Sequence, residues 1–146
     1  MIRTIRTCFL ILFYSLISIP TGLAFAQGTP GFENARQLNK QEVLDLISNK
    51  TVSYHATVGT RTTGVATIVL MKTTFKKTED SGGTLSAYAP GGSSDGKWQV
   101  NDNGRLVRQY ERVAWGNKPF SVGVFENNGK YNWKIGEEFQ ELIKIE

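Results

Sequence analysis

Cysteine and histidine are the residues that this sequence most clearly lacks. Its 146 residues contain one cysteine, Cys8, and one histidine, His55. Because a disulfide joins two cysteines, no intrachain disulfide can form, and burial has to hold the fold together. A transition-metal site would have to be built from carboxylates, since thiolate and imidazole are the usual ligands of such metals.

Long hydrophobic runs are also scarce. The run from Cys8 to Ile19 falls well short of the roughly 20 residues that cross a bilayer. Arg3 and Arg6 precede it and Ala24-Phe25-Ala26 follows it, and this order is typical of a secretory signal peptide with its cleavage site. We expect a mature chain that begins at Gln27, without a membrane span or a lipid anchor, in the periplasm or outside the cell.

The excess of positive over negative charge is also small. Cleavage would remove Arg3 and Arg6 but no acidic residue, which lowers the net charge from +4 to +2. Nucleic-acid binding needs a clustered basic surface, so that class of protein is not expected. The remaining chain has the length of a single domain, which we expect to be monomeric and to bury roughly two-thirds of its unfolded surface.

The signals for one short helix follow a loosely held arm. Residues 27–37 contain glycine and proline and are predicted to be flexible. Asn39 can cap a helix and Glu42 can bond back to it, which is the pattern of a capping box. The apolar stripe that follows predicts a helix over Lys40 to Ser48, and Asn49 suits a left-handed stop.

The rest of the chain has the patterns of β-strands separated by turns. Val65 to Met71 is almost continuously apolar, which predicts a strand covered on both faces, with the helix on the second face. Turns are predicted at Gly59 to Gly64, at Gly82-Gly83 and in a flexible connection from Pro90 to Gly96. Further strands are predicted over Thr51 to Val58, Thr73 to Thr78, Thr84 to Ala89 and Phe139 to Ile145.

The stretch from Gly96 to Tyr110 predicts a β-hairpin. Asn103-Gly104 suits a type I′ turn, whose twist matches that of paired strands. Whether that pair alone forms the loop or all of Asn101 to Gly104 does, Trp98, Val100 and Val107 would share a face directed at the core.

A second hairpin is predicted around Asn128-Gly129, and its register sets Val124 opposite Trp133. Turn signals recur about every 8 to 12 residues. The sequence therefore predicts an all-β domain over residues 38–146, a mainly antiparallel barrel or barrel-like sandwich with one short N-terminal helix.

The chain resembles the small exported bacterial proteins of the domain-of-unknown-function 995 family in LNKQEVLDLISNKTV, DGKWQVNDNGRLVRQY and FSVGVFENNGKYNW. The resemblance covers Leu38 to Ile145 and implies export and a calycin-like β fold, but no activity. Relatives often carry a cysteine in the strand after the Gly-x-Trp turn and another further on. Val107 stands at the first of these places and no cysteine follows, so no family disulfide is implied.

No group of residues has the spacing of a catalytic or cofactor site. His55 could act as a base or metal ligand, but a solvated histidine on the polar face of its strand is the favoured interpretation. Ser93-Ser94-Asp95 lacks the Gly-x-Ser-x-Gly elbow. The acidic pairs Glu79-Asp80 and Glu137-Glu138 are adjacent in turns, so their side chains diverge, whereas an acid–base pair must converge. A protein that is not an enzyme and holds no cofactor or metal is therefore expected.

Aromatic side chains are better candidates for binding. Trp98 and Trp133 are predicted to face inward, either as core or, with Tyr54, as the lining of a barrel cavity. Trp115 lies in a loop, where it either folds back as a lid over the barrel end or meets a partner.

Two functions remain open. Arg108 and Arg112, on one strand face with Tyr110, either suit an anionic or sugar-like ligand or form a solvated outer face. The protein would then be a non-catalytic carrier or sensor that binds a small molecule in the barrel. Alternatively, it is a protein-binding module, such as an inhibitor of an envelope hydrolase, that acts through loops around Trp115 and Pro90 to Gly96. A carrier needs spare interior volume, whereas an inhibitor does not.

Overall fold

The computed structural model describes residues 31–59 and 66–146. The predicted signal peptide and nearly all of the predicted turn from Gly59 to Gly64 lie outside the described residues. Within the described ranges, no helix has the length and apolar character that a membrane span requires.

The described chain is mostly β-strand. In chain order its strands are β1 (Arg36–Gln37), β2 (Lys50–Gly59), β3 (Ala66–Glu79), β4 (Gly82–Ala89), β5 (Gly92–Val100), β6 (Leu106–Tyr110), β7 (Phe120–Asn127), β8 (Lys130–Ile135) and β9 (Glu138–Ile145). Neighbours from β2 to β8 pair antiparallel in sequence order, β9 joins β2 to β8, and the eight strands β2 to β9 of this described part close into a barrel. The predicted barrel is therefore confirmed. β1, at the end of the segment predicted to be a flexible arm, pairs with β7.

Helix α1 (Lys40–Ile47) begins at the predicted residue and ends one residue before the predicted Ser48. Asn39 Oδ1 accepts a hydrogen bond from the Glu42 amide at 3.0 Å, and Glu42 Oε2 accepts one from the Asn39 amide at 2.8 Å. Asn49 follows with a φ of 59°. The capping box and the left-handed stop are thus confirmed, and the helix buries its apolar stripe of Val43, Leu44 and Ile47.

This helix closes one end of the barrel. The Asn49 amide donates to the Phe75 carbonyl at 2.7 Å, in the half of β3 that leads to the turn between β3 and β4. Lys40 Nζ lies 2.8 Å from Asp102 Oδ1, in the loop between β5 and β6. The apolar stripe of α1 therefore lies over the end of the barrel at which these two connections meet.

The C-terminal hairpin has the predicted turn and register. Asn128 and Gly129 have φ values of 53° and 78°, as a type I′ turn requires. Val124 lies opposite Trp133, and both side chains are fully buried.

The predicted face of the first hairpin is wrong by one residue. Its loop spans residues 101–105, because Val100 pairs with Leu106. Only Gly104 of the Asn103-Gly104 pair has a positive φ, of 71°, so the turn is not of type I′. Trp98 consequently lies opposite Arg108, which faces the interior, and Val107 faces outward.

The prediction that Val65 to Met71 is covered on both faces is also wrong. Its described part, which begins at Ala66, forms one strand with the predicted Thr73 to Thr78, and the side chains of Ile68 and Leu70 are 71% and 42% exposed on the outside of the barrel. The reason is the position of α1, which lies across the barrel end and packs against β2 and β5.

Two predicted connections are shorter than expected. Gly82-Gly83 belongs to β4, and the turn before it is made by Asp80 and Ser81. Pro90 to Gly96 is a tight turn at Pro90-Gly91 followed by β5, not a flexible connection. The glycine of the Gly-x-Trp motif has a steric role, because a Cβ on Gly96 would collide with the Gln109 carbonyl oxygen of β6.

Candidate ligand cavity

The barrel is open at the end opposite α1. A cavity of about 710 Å³ lies there, between the last residues of β2, β4, β6 and β8 and the first residues of β3, β7 and β9. Its lining is mostly apolar and consists of Tyr54, Ala56, Thr57, Thr67, Val69, Met71, Ala89, Pro90, Gly91, Arg108, Tyr110, Ala114, Trp115, Phe120, Ile135, Glu138 and Gln140. The volume lies within the range of about 300–1,000 Å³ that is usual for small-molecule sites.

Arg108 is the charged group at the floor of this cavity. Its side chain is only 2% exposed, and within residues 31–59 and 66–146 it forms no ion pair with a carboxylate. Nη1 donates to the Tyr54 hydroxyl at 3.2 Å, whereas Nε has no hydrogen-bond partner in this part of the chain. An arginine stays protonated in a protein, so the positive charge is buried with it.

Aromatic rings surround the guanidinium. Its carbon lies 4.2 Å from the ring centre of Trp133, 4.8 Å from that of Phe120 and 5.8 Å from that of Tyr54. Trp133 also packs edge-on against Tyr54, with ring centres 4.2 Å apart. Trp133 thus lies behind the guanidinium and holds it in one orientation, although it is not itself part of the lining.

Two tyrosine hydroxyls accompany Arg108. The Tyr54 hydroxyl, which accepts from Arg108, also lies 3.4 Å from Thr73 Oγ1. Burial raises the pKa of Tyr110 from 10.0 to about 12, although the charge of Arg108 acts in the opposite direction, and the proximity of Tyr54 adds to the rise. The Tyr110 phenol is therefore neutral at neutral pH and keeps a hydrogen to donate.

Trp115 lies at the mouth of the cavity. It ends a short 3₁₀ helix, Val113–Trp115, and is half-buried against Tyr110, with ring centres 5.6 Å apart. Of the two predicted roles, a lid or a ring offered to a partner, this packing matches the lid. Glu138, an exposed residue at the start of β9, lies at the same rim.

The cavity brings together four of the seven predicted site residues, which are Tyr54, Arg108, Tyr110 and Trp115. Trp133 supports Arg108 from behind. Trp98 lies elsewhere in the core, edge-on to Phe75, and its Nε1 donates to the Lys76 carbonyl at 3.2 Å. Arg112 is exposed beyond the end of β6, where Nη1 donates to the Ser93 carbonyl at 3.0 Å, so it does not share a strand face with Arg108 and Tyr110.

Several lining residues were not among the predicted site residues. Phe120 and Ile135 lie an even number of residues from Val124 and Trp133, the pair that the second predicted hairpin sets opposite each other, so strand alternation contained a signal for them. Val69 and Met71 could not be predicted as lining residues, because the apolar run around them predicted cover on both faces. A run without alternation does not show which of its residues face inward.

The other residues considered for chemistry lie apart from the cavity. His55 is exposed on the outside of β2, in agreement with the interpretation of a solvated histidine. Ser93-Ser94-Asp95 belongs to β5, and Asp95 accepts from the Ser86 hydroxyl at 2.6 Å. In the part of the chain that the structure describes, no three His, Cys, Asp or Glu side chains are grouped so that they could hold a metal ion.

Comparisons with known proteins returned no relative. No family model matches the chain, and no curated protein and no solved structure is significantly similar to it. The class of this protein is thus given by its fold and its cavity: a closed antiparallel β-barrel with one end open.

Proposed function

We propose that the protein is a non-catalytic binding protein that holds a small ligand in the open end of its barrel. The cavity is the observation that supports this proposal. A barrel of eight strands is just wide enough for side chains to fill it or for one small ligand to enter. Here bulky side chains such as Phe75 and Trp98 fill the end near α1, whereas Ala56, Ala89 and Gly91 leave space at the other end.

The alternative function, a protein-binding module, has weaker support. It relied on two exposed loops, and the connection from Pro90 to Gly96 is a tight turn followed by a strand. Trp115 is turned toward the cavity and packs on Tyr110. Spare interior volume, which distinguishes a carrier from an inhibitor, is present at the open end.

The proposed compartment is the periplasm or the cell exterior, as the signal-peptide pattern indicates. The resemblance to the domain-of-unknown-function 995 family is consistent with that compartment and adds no activity. A carrier in such a compartment would take up its ligand through the open barrel end, past Trp115.

Binding can be tested with N-phenyl-1-naphthylamine, a neutral apolar dye whose fluorescence rises on leaving water. Adjacent positions on β3 offer a matched pair of variants, because Val69 lines the cavity and Ile68 is 71% exposed outside. We expect the dye to bind, Val69→Trp to weaken binding by about tenfold or more because the larger ring fills the space, and Ile68→Trp to leave it nearly unchanged.

Two results would count against the cavity as the binding site. One is the absence of dye binding to a folded protein, and the other is an equal loss of binding in both tryptophan variants. Circular dichroism and the unfolding midpoint of each variant show whether the barrel is intact, so that misfolding is not mistaken for loss of the site.

A further inference from the structure

We propose that the ligand of the cavity is an amphipathic monoanion, whose carboxylate pairs with Arg108 and whose apolar body fills the barrel end. This inference rests on the proposed function and names the chemical class of the ligand. It starts from the charge of Arg108, which is buried in the ligand-free protein without a carboxylate partner in residues 31–59 and 66–146.

A buried ion requires compensation for its lost hydration. Arg108 obtains part of it from the three rings around it and from the Tyr54 hydroxyl. Neither a ring nor a neutral hydroxyl carries a full negative charge, however. Nε of Arg108 also has no hydrogen-bond acceptor in the described chain. The floor of the cavity is therefore short of one negative charge and of a hydrogen-bond acceptor, and a carboxylate supplies both.

The charges around the cavity favour a single negative charge over two. Arg108 is the only basic side chain among the described residues that line it, and Glu138 is at the rim. A dianion such as a phosphate monoester would leave one charge uncompensated in a poorly hydrated site and would pass a carboxylate on entry. A carboxylate matches the charge of Arg108 one to one.

The remaining lining explains the rest of the ligand. Val69, Met71 and Phe120 are apolar and lie between the floor and the rim. At the floor, Tyr110 is a neutral phenol at neutral pH, so it can donate to an anion rather than repel it. A molecule with one carboxylate and an extended apolar body would therefore satisfy Arg108 and cover the apolar wall at the same time.

The test uses ligands that differ only in the head group. Dodecanoate, dodecan-1-ol and dodecyl phosphate are titrated, below their micellar concentrations and at pH 8, against the exported protein carrying N-phenyl-1-naphthylamine. We expect dodecanoate to displace the dye at a concentration about tenfold or more below that of dodecan-1-ol, and dodecyl phosphate to be no better than dodecanoate.

Arginine variants locate the effect. Arg108→Met keeps an unbranched apolar stem and removes the charged guanidinium, so dodecanoate should lose its advantage in affinity over dodecan-1-ol. Arg108→Lys should retain part of the advantage. Arg105→Met is the matched control, because Arg105 stands three residues away, with Nε donating to the Ser121 hydroxyl at 3.1 Å rather than lining the cavity. It should keep the full advantage, and all variants should still bind the neutral dye.

Each contrary outcome has a separate meaning. If the dye binds and dodecan-1-ol displaces it as well as dodecanoate does, the anionic ligand is wrong and the proposed function stands. If dodecyl phosphate binds about tenfold more tightly than dodecanoate, the monoanion is wrong. If neither the dye nor dodecanoate binds, both proposals fail. If Arg108→Met does not fold, the comparison of head groups on the unchanged protein and on Arg108→Lys still tests whether the ligand is a monoanion.

Discussion

Whether Arg108 faces the cavity or the solvent depends on the register of β6, and a shift of one residue would reverse it. From the sequence, its strand face was open to two interpretations, a ligand-binding face or a solvated one. The loop of residues 101–105 turns Arg108 and Tyr110 inward, with Trp98 directly opposite Arg108. Since successive residues of a strand point to opposite faces, a shift of one residue exchanges core and surface. The sequence could nominate Arg108, but it could not place its charge inside the barrel.

Tyr110 should make the stability of the protein depend on pH at high pH. The folded protein holds this proton up to about pH 12, whereas the unfolded chain releases it near pH 10.0. Because the folded state then binds more protons, the contribution is fully present below pH 10 and is lost as the pH rises through 12. One pKa unit corresponds to about 1.4 kcal/mol, so the free energy of unfolding should fall by up to roughly 3 kcal/mol over this interval.

Urea unfolding at several values between pH 9 and 12 measures this loss. Tyr110→Phe removes the titrating group and should flatten the curve relative to the unchanged protein. Tyr88→Phe is the control, since Tyr88 is 58% exposed on the outside of β4, and it should leave the curve as it was. Identical slopes for the unchanged protein and Tyr110→Phe would contradict the assignment of the raised pKa to Tyr110.

At the scale of elements, signals confined to a few neighbouring residues were sufficient for prediction. The capping box of α1 and the turn at Asn128-Gly129 depend on local backbone geometry and hydrogen bonds, and both have the predicted form. The turn at Asn103-Gly104 does not have its predicted form, and its loop also contacts the residues directly before α1. Gly104 lies against the Leu38 carbonyl, where a Cβ would be 2.6 Å from the oxygen. Such a tertiary contact is invisible in the local pattern.

The prediction that the first part of β3 is covered on both faces was wrong for a related reason. An apolar run predicts burial, but a barrel has only one interior, so alternate residues of the run face outward unless another layer covers them. Helix α1 lies across the barrel end and leaves Ile68 and Leu70 exposed. The position of a helix relative to a sheet is a long-range property that the pattern of one strand does not contain.

The C-terminal hairpin provides a direct test of its register. Trp133 is fully buried, lies opposite Val124 and packs against the guanidinium of Arg108. Trp133→Ala should therefore lower the free energy of unfolding by about 3–5 kcal/mol. Lys134→Ala, on the outer face of the same strand, should change it by no more than about 0.5 kcal/mol. The 3.4 Å ion pair of Lys134 with Glu137, whose side chain is 93% exposed, lies at the surface and contributes little.

Chemical denaturation of the two single variants of β8 is the measurement. Equal losses would mean that the two residues do not lie on opposite faces of β8. A small loss for Trp133→Ala alone would mean that the interior beside Arg108 is loosely packed.

At the scale of the whole molecule, the barrel could be predicted but its cavity could not. The spacing of turns predicts a series of short strands whose neighbours run antiparallel. Free volume depends instead on which side chains meet at each level of the barrel. Ala56 and Ala89 line the same end although they are far apart in the sequence, and the space between them appears only when the sheet closes.

Export should shorten the chain to a protein that begins at Gln27. A signal peptidase needs small side chains at the first and third positions of the A-x-A site, so Ala24→Lys or Ala26→Lys should block cleavage. Phe25→Tyr, at the middle position, is the matched control and should be processed normally. Intact mass of the exported protein and of each variant decides the outcome. Recovery of the unchanged protein as a full-length chain embedded in the membrane would show that residues 1–26 are an anchor, and the proposed carrier would then act at a membrane surface.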